Sequence, residues 1–124
     1  MEEQHQRIKD DLSALFNLPV YQDDLAEDEY PTDHNYILIV YGSFNKTNTT
    51  RDLTQEIYVV YVSENNPNVE TETLDLITTM VNIRGINFHR TVKDRLQKDD
   101  TDDFIDQVTC IFNRRVVIEC KIPN

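Results

Sequence analysis

The residues in this chain with the types and spacing to do chemistry are few. The strongest group is an apolar run, Val116-Val117-Ile118, that leads into Glu119-Cys120-Lys121, with Asp103 and Asp106 upstream. An Asp and a Glu so placed can hold Mg²⁺ while a nearby Lys helps to activate water, the arrangement of metal-dependent nucleases. Those enzymes continue past Glu-x-Lys with a helix and a further strand that complete the site, whereas here the sequence stops at Asn124. An acid and a base at the end of a strand are also an ordinary surface pair, and that reading is preferred for Glu119 and Lys121. Cys110 and Cys120 are too far apart for a redox or zinc pair and read as buried free thiols. His5, His34 and His89 fall on different elements without ligand spacing. Asp99-Asp100-Thr101-Asp102-Asp103 lacks the Gly and the terminal Glu of a calcium loop, and two Gly in all exclude a phosphate-cradling loop. No Ser-His-Asp or Cys-His arrangement has local support. The expectation is a non-enzyme with no cofactor and no metal.

Charge is more informative. The formal net charge is −11, from 23 acidic and 12 basic residues. Asp23, Asp24, Glu27, Asp28 and Glu29 form one acidic cluster; Asp99, Asp100, Asp102, Asp103 and Asp106 form another. Setting those ten aside leaves 13 acids against 12 bases, so the acidity belongs to two segments that read as loops. Such a surface repels phosphates and argues against sequence-specific binding of nucleic acid. Arg84, Arg90, Lys93, Arg95 and Lys98 make a basic stretch between the clusters. The start, Met1-Glu2-Glu3-Gln4-His5-Gln6, does not read as a secretory signal, and no run approaches the roughly 20 apolar residues of a bilayer span. A soluble chain that begins life in a cytoplasm is expected, and the glycosylation triplets at Asn45 and Asn48 then read as chance matches.

A length of 124 residues, 39% of them hydrophobic, suits a single domain over residues 1–124 with its own core. Ile8, Leu12, Leu15 and Phe16 recur at helical spacing and predict a first helix over about residues 3–17, ended by Pro19. Leu18 to Tyr21 reads as a short edge strand, because Pro has no N–H to donate to a central ladder. Tyr36 to Tyr41 is a continuous apolar run, the pattern of a strand covered on both faces. Leu53 to Val62 is apolar on both faces, so something should cover each of them. The second helix begins at an N-cap Asn68 with Glu70 and Glu72 in its first turn. Its buried stripe is expected at Leu74, Ile77 and Val81, and its end at a basic last turn, Arg84, followed by Gly85. Ile86, Phe88 and Val92 predict a half-exposed strand. Phe104–Phe112 and Val116–Cys120 predict a hairpin with the odd loop Asn113-Arg114-Arg115, one long bulged strand being the alternative. The fold class is α+β: a mostly antiparallel sheet of about four to six strands with two helices packed against it.

In this order the elements resemble the tail-terminator (tail-completion) proteins of long-tailed bacteriophages. The resemblance runs through the first helix into Leu18-Pro19-Val20-Tyr21, the strands Tyr36–Tyr41 and Leu53–Val62, the helix Val69–Arg84 and the β-rich last third. It covers nearly the whole chain and rests on architecture rather than on a motif. It implies a structural protein of the virion, assembled in the host cytoplasm as a homo-hexameric ring. The ring would cap the tail-tube protein and join it to the head connector protein, with DNA passing through it and no membrane involved. The five bases would then meet an acidic loop of a neighbouring subunit, and either acidic cluster would line a DNA-repelling lumen. The competing readings are an acidic DNA-mimic inhibitor and the metal-dependent nuclease.

Overall fold

The computed structural model describes residues 2–22, 35–97 and 102–118. The elements are α1 (Glu2–Phe16), β1 (Val20–Gln22), β2 (Tyr36–Lys46), β3 (Asp52–Glu64), α2 (Val69–Val81), β4 (Ile86–Gln97) and β5 (Phe104–Val117). Their strands form one sheet in the order β1-β2-β3-β5-β4, parallel between β1 and β2 and antiparallel elsewhere. This is the expected α+β architecture. β1 takes the expected edge, where Pro19 needs no N–H and contributes only its carbonyl, accepting from the Ile37 N–H at 3.0 Å.

Both helices pack on one face of the sheet. Ile8 and Leu12 of α1 join Val69, Leu76 and Met80 of α2 over Ile37, Ile39, Ile57, Val59, Val108, Cys110 and Phe112. Two aromatic stacks fasten α1 to this layer, His5 on Tyr41 and Phe16 on Tyr61, with ring centroids 4.0 and 5.1 Å apart. Asn17 ends α1 by taking a positive φ of 53°, which Asn tolerates better than most residues. The opposite face of the sheet is also apolar. There Leu38, Val40, Tyr58 and Val60 are half-buried, and among the described residues no second layer lies over them. Val62 and Ile111 on this face are nonetheless buried, so of the two covered faces expected, the described residues show the helix-covered one and a partly buried second.

Four local expectations are corrected. The chain from Phe104 to Val117 is one strand, not a hairpin; Asn113, Arg114 and Arg115 pair in register with Glu56, Gln55 and Thr54 of β3. Arg114 continues the inward series Val108, Cys110, Phe112 and is only 1% exposed. A residue type that signals a loop lies in the core because partners reach it from three elements. Its Nε donates to Gln55 Oε1 at 2.8 Å, its Nη1 to Gln4 Oε1 at 3.1 Å, and its guanidinium carbon lies 4.9 Å above the Tyr41 ring.

In α2 the buried residues are Val69, Leu76 and Met80, while Leu74 is 64% exposed and Val81 faces outward. Two apolar stripes of helical period run along this helix, and the sheet takes the one that starts at Val69. The helix also stops at Val81, with no basic residue in its last turn. Arg84 belongs to the following turn, where Gly85 takes φ +90°, a conformation that L side chains rarely adopt. Finally, a bulge between Phe88 and Arg90 divides β4. Phe88 opposes Phe112 on the helix side, whereas Val92 opposes Thr109 on the other face, so the two do not share a surface.

Candidate functional site

Strand order decides where the charged residues go. β5, last in the chain, inserts between β3 and β4 and leaves β4 as the outer strand. β4 is 12 residues long and only Ile86 in it is buried. Three of the five predicted interface bases, Arg90, Lys93 and Arg95, lie on this strand. Register puts Lys93 opposite Val108 and Arg95 opposite Asp106 on the helix side, and Arg90 opposite Ile111 on the other face. Arg84 lies in the exposed turn before β4, and its carbonyl accepts from Gln4 Nε2 at 3.1 Å. Lys98 falls outside the described residues.

The bases differ in how firmly they are held. Arg95 is fixed: Nε and Nη2 donate to the two oxygens of Asp106 at 2.7 and 3.1 Å, and its guanidinium carbon lies 4.3 Å over the Phe104 ring. The hydrogen bond to Asp106 holds the guanidinium pKa above its ordinary value. Lys93 reaches only to 3.7 Å from Glu70, which is itself well exposed. Such an exposed pair contributes little to stability and leaves the ammonium open to another partner.

Between α2 and β4 runs a groove of about 450 Å³. Leu74, Ile77, Phe88 and Thr91 line its apolar wall, and Glu70 and Lys93 stand on its rim. Leu74 is 64% and Phe88 40% exposed. From the sequence, Leu74 and Ile77 are expected in the buried stripe of α2 and Phe88 on a half-exposed strand. The available signal was the second apolar stripe on α2, which a one-sided sheet cannot bury together with the first.

The acidic residues separate into two kinds. Asp23, Asp24, Glu27, Asp28 and Glu29, with Asp99 and Asp100, lie outside the described residues. Asp102 is exposed and Asp103 half-buried, and Asp103 accepts from Asn65 Nδ2 at 3.0 Å. Asn65, at φ 51°, also accepts from the Phe104 N–H at 2.9 Å and so fixes the start of β5. Asp106 is not a loop residue: it sits within β5 at 0% exposure, with both oxygens bonded to Arg95. That arrangement removes it from the nuclease constellation, whose other members Glu119 and Lys121 lie outside the described residues.

Other reactive groups are built into the core. Cys110 is a buried free thiol, as expected, and burial pushes its pKa up to about 12. Tyr61 is pushed up to about 12 by burial and by donating its hydroxyl to Glu72. Arg114 is shifted the other way, below its ordinary value, because burial disfavours its charge. Among the described residues no group of three His, Cys, Asp or Glu side chains is placed to hold a metal ion. Nor is any helix there long and apolar enough to cross a membrane.

No protein-family model and no curated protein matches the chain. Among solved structures, the fold is similar to that of a chain in the virion of a native gene transfer agent (GTA) particle. The TM-score is 0.59 at 15% identity, over 92% of this chain and 91% of that chain. At this identity the likeness is one of fold, and it covers about nine-tenths of each chain.

Proposed function

We propose that the chain is a structural subunit of a phage-like virion and, more narrowly, a tail terminator. The observation that carries this reading is the likeness of fold, over 92% of this chain, to a chain of a GTA virion. The tail-terminator resemblance of the sequence narrows it to a homo-hexameric ring. That ring caps the tail-tube protein, joins it to the head connector protein, and lets DNA pass through a lumen lined by acidic residues. A lumen of that sign suits the chemistry, since repulsion keeps phosphates from adhering to the wall. The nuclease reading is weakened by Asp106, whose carboxylate is committed to Arg95.

The test is to assemble particles with and without this chain and image them by electron microscopy. Without it, tails should overrun their normal length and fail to join heads, and adding the purified chain should restore joining. Tails of normal length attached to heads in its absence would refute the terminator role. Detection of the chain in purified particles would then decide whether the broader structural role survives.

A further inference from the structure

The geometry points to the α2–β4 groove and the free edge of β4 as the docking site for a second copy of this chain, which approaches with its β1 edge and the acidic residues Asp23–Glu29. The inference rests on the ring reading in one respect, that copies meet head to tail, and it names the surfaces that meet.

Three observations converge on this occupant. The first is the edge itself. Among the described residues β4 is the terminal strand, with β5 as its one neighbour in the sheet, so its outer edge can take a further strand. Long exposed edges of this kind are normally covered or blunted, and Arg90 and Lys93, the two bases of β4 not committed to Asp106, blunt this one only against a partner of the same sign. The second is charge. In a chain of net charge −11, the bases of β4 select an acidic partner, and Asp23-Asp24-Leu25-Ala26-Glu27-Asp28-Glu29 supplies five acids around an apolar pair. Leu25 matches the groove formed by Leu74, Ile77 and Phe88, while the carboxylates on one side of it match Lys93 on the rim and those on the other side reach Arg90 on the opposite face of the β4 edge.

The third observation is placement. The acidic residues follow directly on β1, and β1 and β4 are the two opposite ends of the five-stranded order. Those ends are separated by four strand spacings, about 19 Å. Residues 23–34 must return to Asn35, so their midpoint reaches at most about 20 Å from β1 even when fully drawn out. Contact within one subunit would use that whole reach, whereas contact with a neighbour uses none of it. One edge of a copy meeting the opposite edge of the next is a heterologous interface, and repeating it gives a ring when the rotation between copies closes. With Asp23–Glu29 so engaged, the lumen lining falls to the second cluster, Asp99–Asp103.

The test is cross-linking of the full chain in a Cys120→Ser background, where the remaining thiol, Cys110, is buried. Leu25→Cys and Leu74→Cys are combined in one chain and treated with a short bis-maleimide, both at high protein concentration and in assembled particles. A ladder running past the dimer is expected from the double variant and from neither single one. No ladder under either condition, or a dimer from Leu74→Cys alone, would overturn the proposal. A second arm needs no cross-link. Arg90→Glu with Lys93→Glu should weaken self-association by about tenfold or more, and a copy carrying Asp23→Lys and Asp24→Lys should restore it. Unchanged association, or no restoration, counts against the interface. If the ladder forms but particles lacking the chain still have normal tails, the terminator role fails and this interface stands. The converse pattern leaves the role and removes the interface.

Discussion

Leu74 and Leu76 lie two residues apart on α2, and the structure assigns them opposite jobs. Leu76 is 0% exposed within the layer between α2 and the sheet; Leu74 is 64% exposed on the groove wall. Truncating a fully buried leucine to alanine removes its transfer free energy and leaves a cavity, a cost of about 2–5 kcal/mol. Leu74 keeps roughly a third of its surface covered, so its truncation should cost only about a third of the 1.5–3 kcal/mol of full burial, or about 0.5–1 kcal/mol. For a chain of this length the unfolding entropy is roughly 0.26 kcal/mol/K. Leu76→Ala should therefore lower Tm by about 8–19 °C, and Leu74→Ala by about 2–4 °C. Calorimetry at low micromolar concentration reads both, and a second concentration guards against assembly raising Tm by mass action. Leu74→Asp should melt close to wild type yet, on the interface proposed above, fail to associate, because it places a carboxylate in the apolar groove. If Leu74→Ala melts as low as Leu76→Ala, then α2 faces the sheet with the stripe read from the sequence, and the groove is not a surface.

Two further outcomes follow from buried polar groups. Cys110 should resist alkylation at pH 8 in the folded chain and react only on unfolding, and prompt labelling under native conditions would contradict its burial. Its pKa is raised from an ordinary value of 9.0 to about 12, so the folded state holds the proton more tightly. The linked stability is fully present below pH 9 and is lost as pH rises toward 12. Alkaline melting should thus be less steep in Cys110→Ala than in the wild type. Arg114 joins α1 to the sheet through Gln4 and Gln55. Arg114→Met should keep the packing but raise amide exchange along α1, and Arg114→Ala should also lower Tm; exchange confined to β5 would show that α1 does not depend on it.

The legible parts of the fold are those set by local pattern. Ile8 and Leu12 are one apolar stripe with no rival, and α1 buries them as expected. Pro19 restricts its strand to an edge, and β1 is at the edge. What the sequence hides is the choice between equivalent patterns and the arrival of distant partners. Leu74-Ile77-Val81 and Val69-Leu76-Met80 have the same period, and only the sheet decides between them. Arg114 reads as loop because its partners Gln4 and Gln55 come from other elements, although its place two residues beyond Phe112 fits the alternation of a continuing strand. The bulge before Arg90 leaves no local mark, yet it moves Val92 to the opposite face from Phe88. For the site, the basic stretch was visible as composition, but its exposure on an edge follows from β5 inserting between β3 and β4.

That insertion bears most directly on function. Were β4 to pair with β3 as its chain neighbour, β5 would be the outer strand, and the edge would display Val108, Cys110 and Phe112 beside a buried Asp106. The observed order instead encloses those side chains and spends one base, Arg95, on neutralising Asp106. Lys93 remains on the rim of the apolar groove and Arg90 on the opposite face of β4, and neither is held by a buried carboxylate. The acidic cluster is tethered to the far end of the same sheet. A net charge of −11 would by itself make copies repel one another. In the interface proposed above, the bases of β4 in one copy meet the acids that follow β1 in the next, an attraction that an approach of like ends lacks.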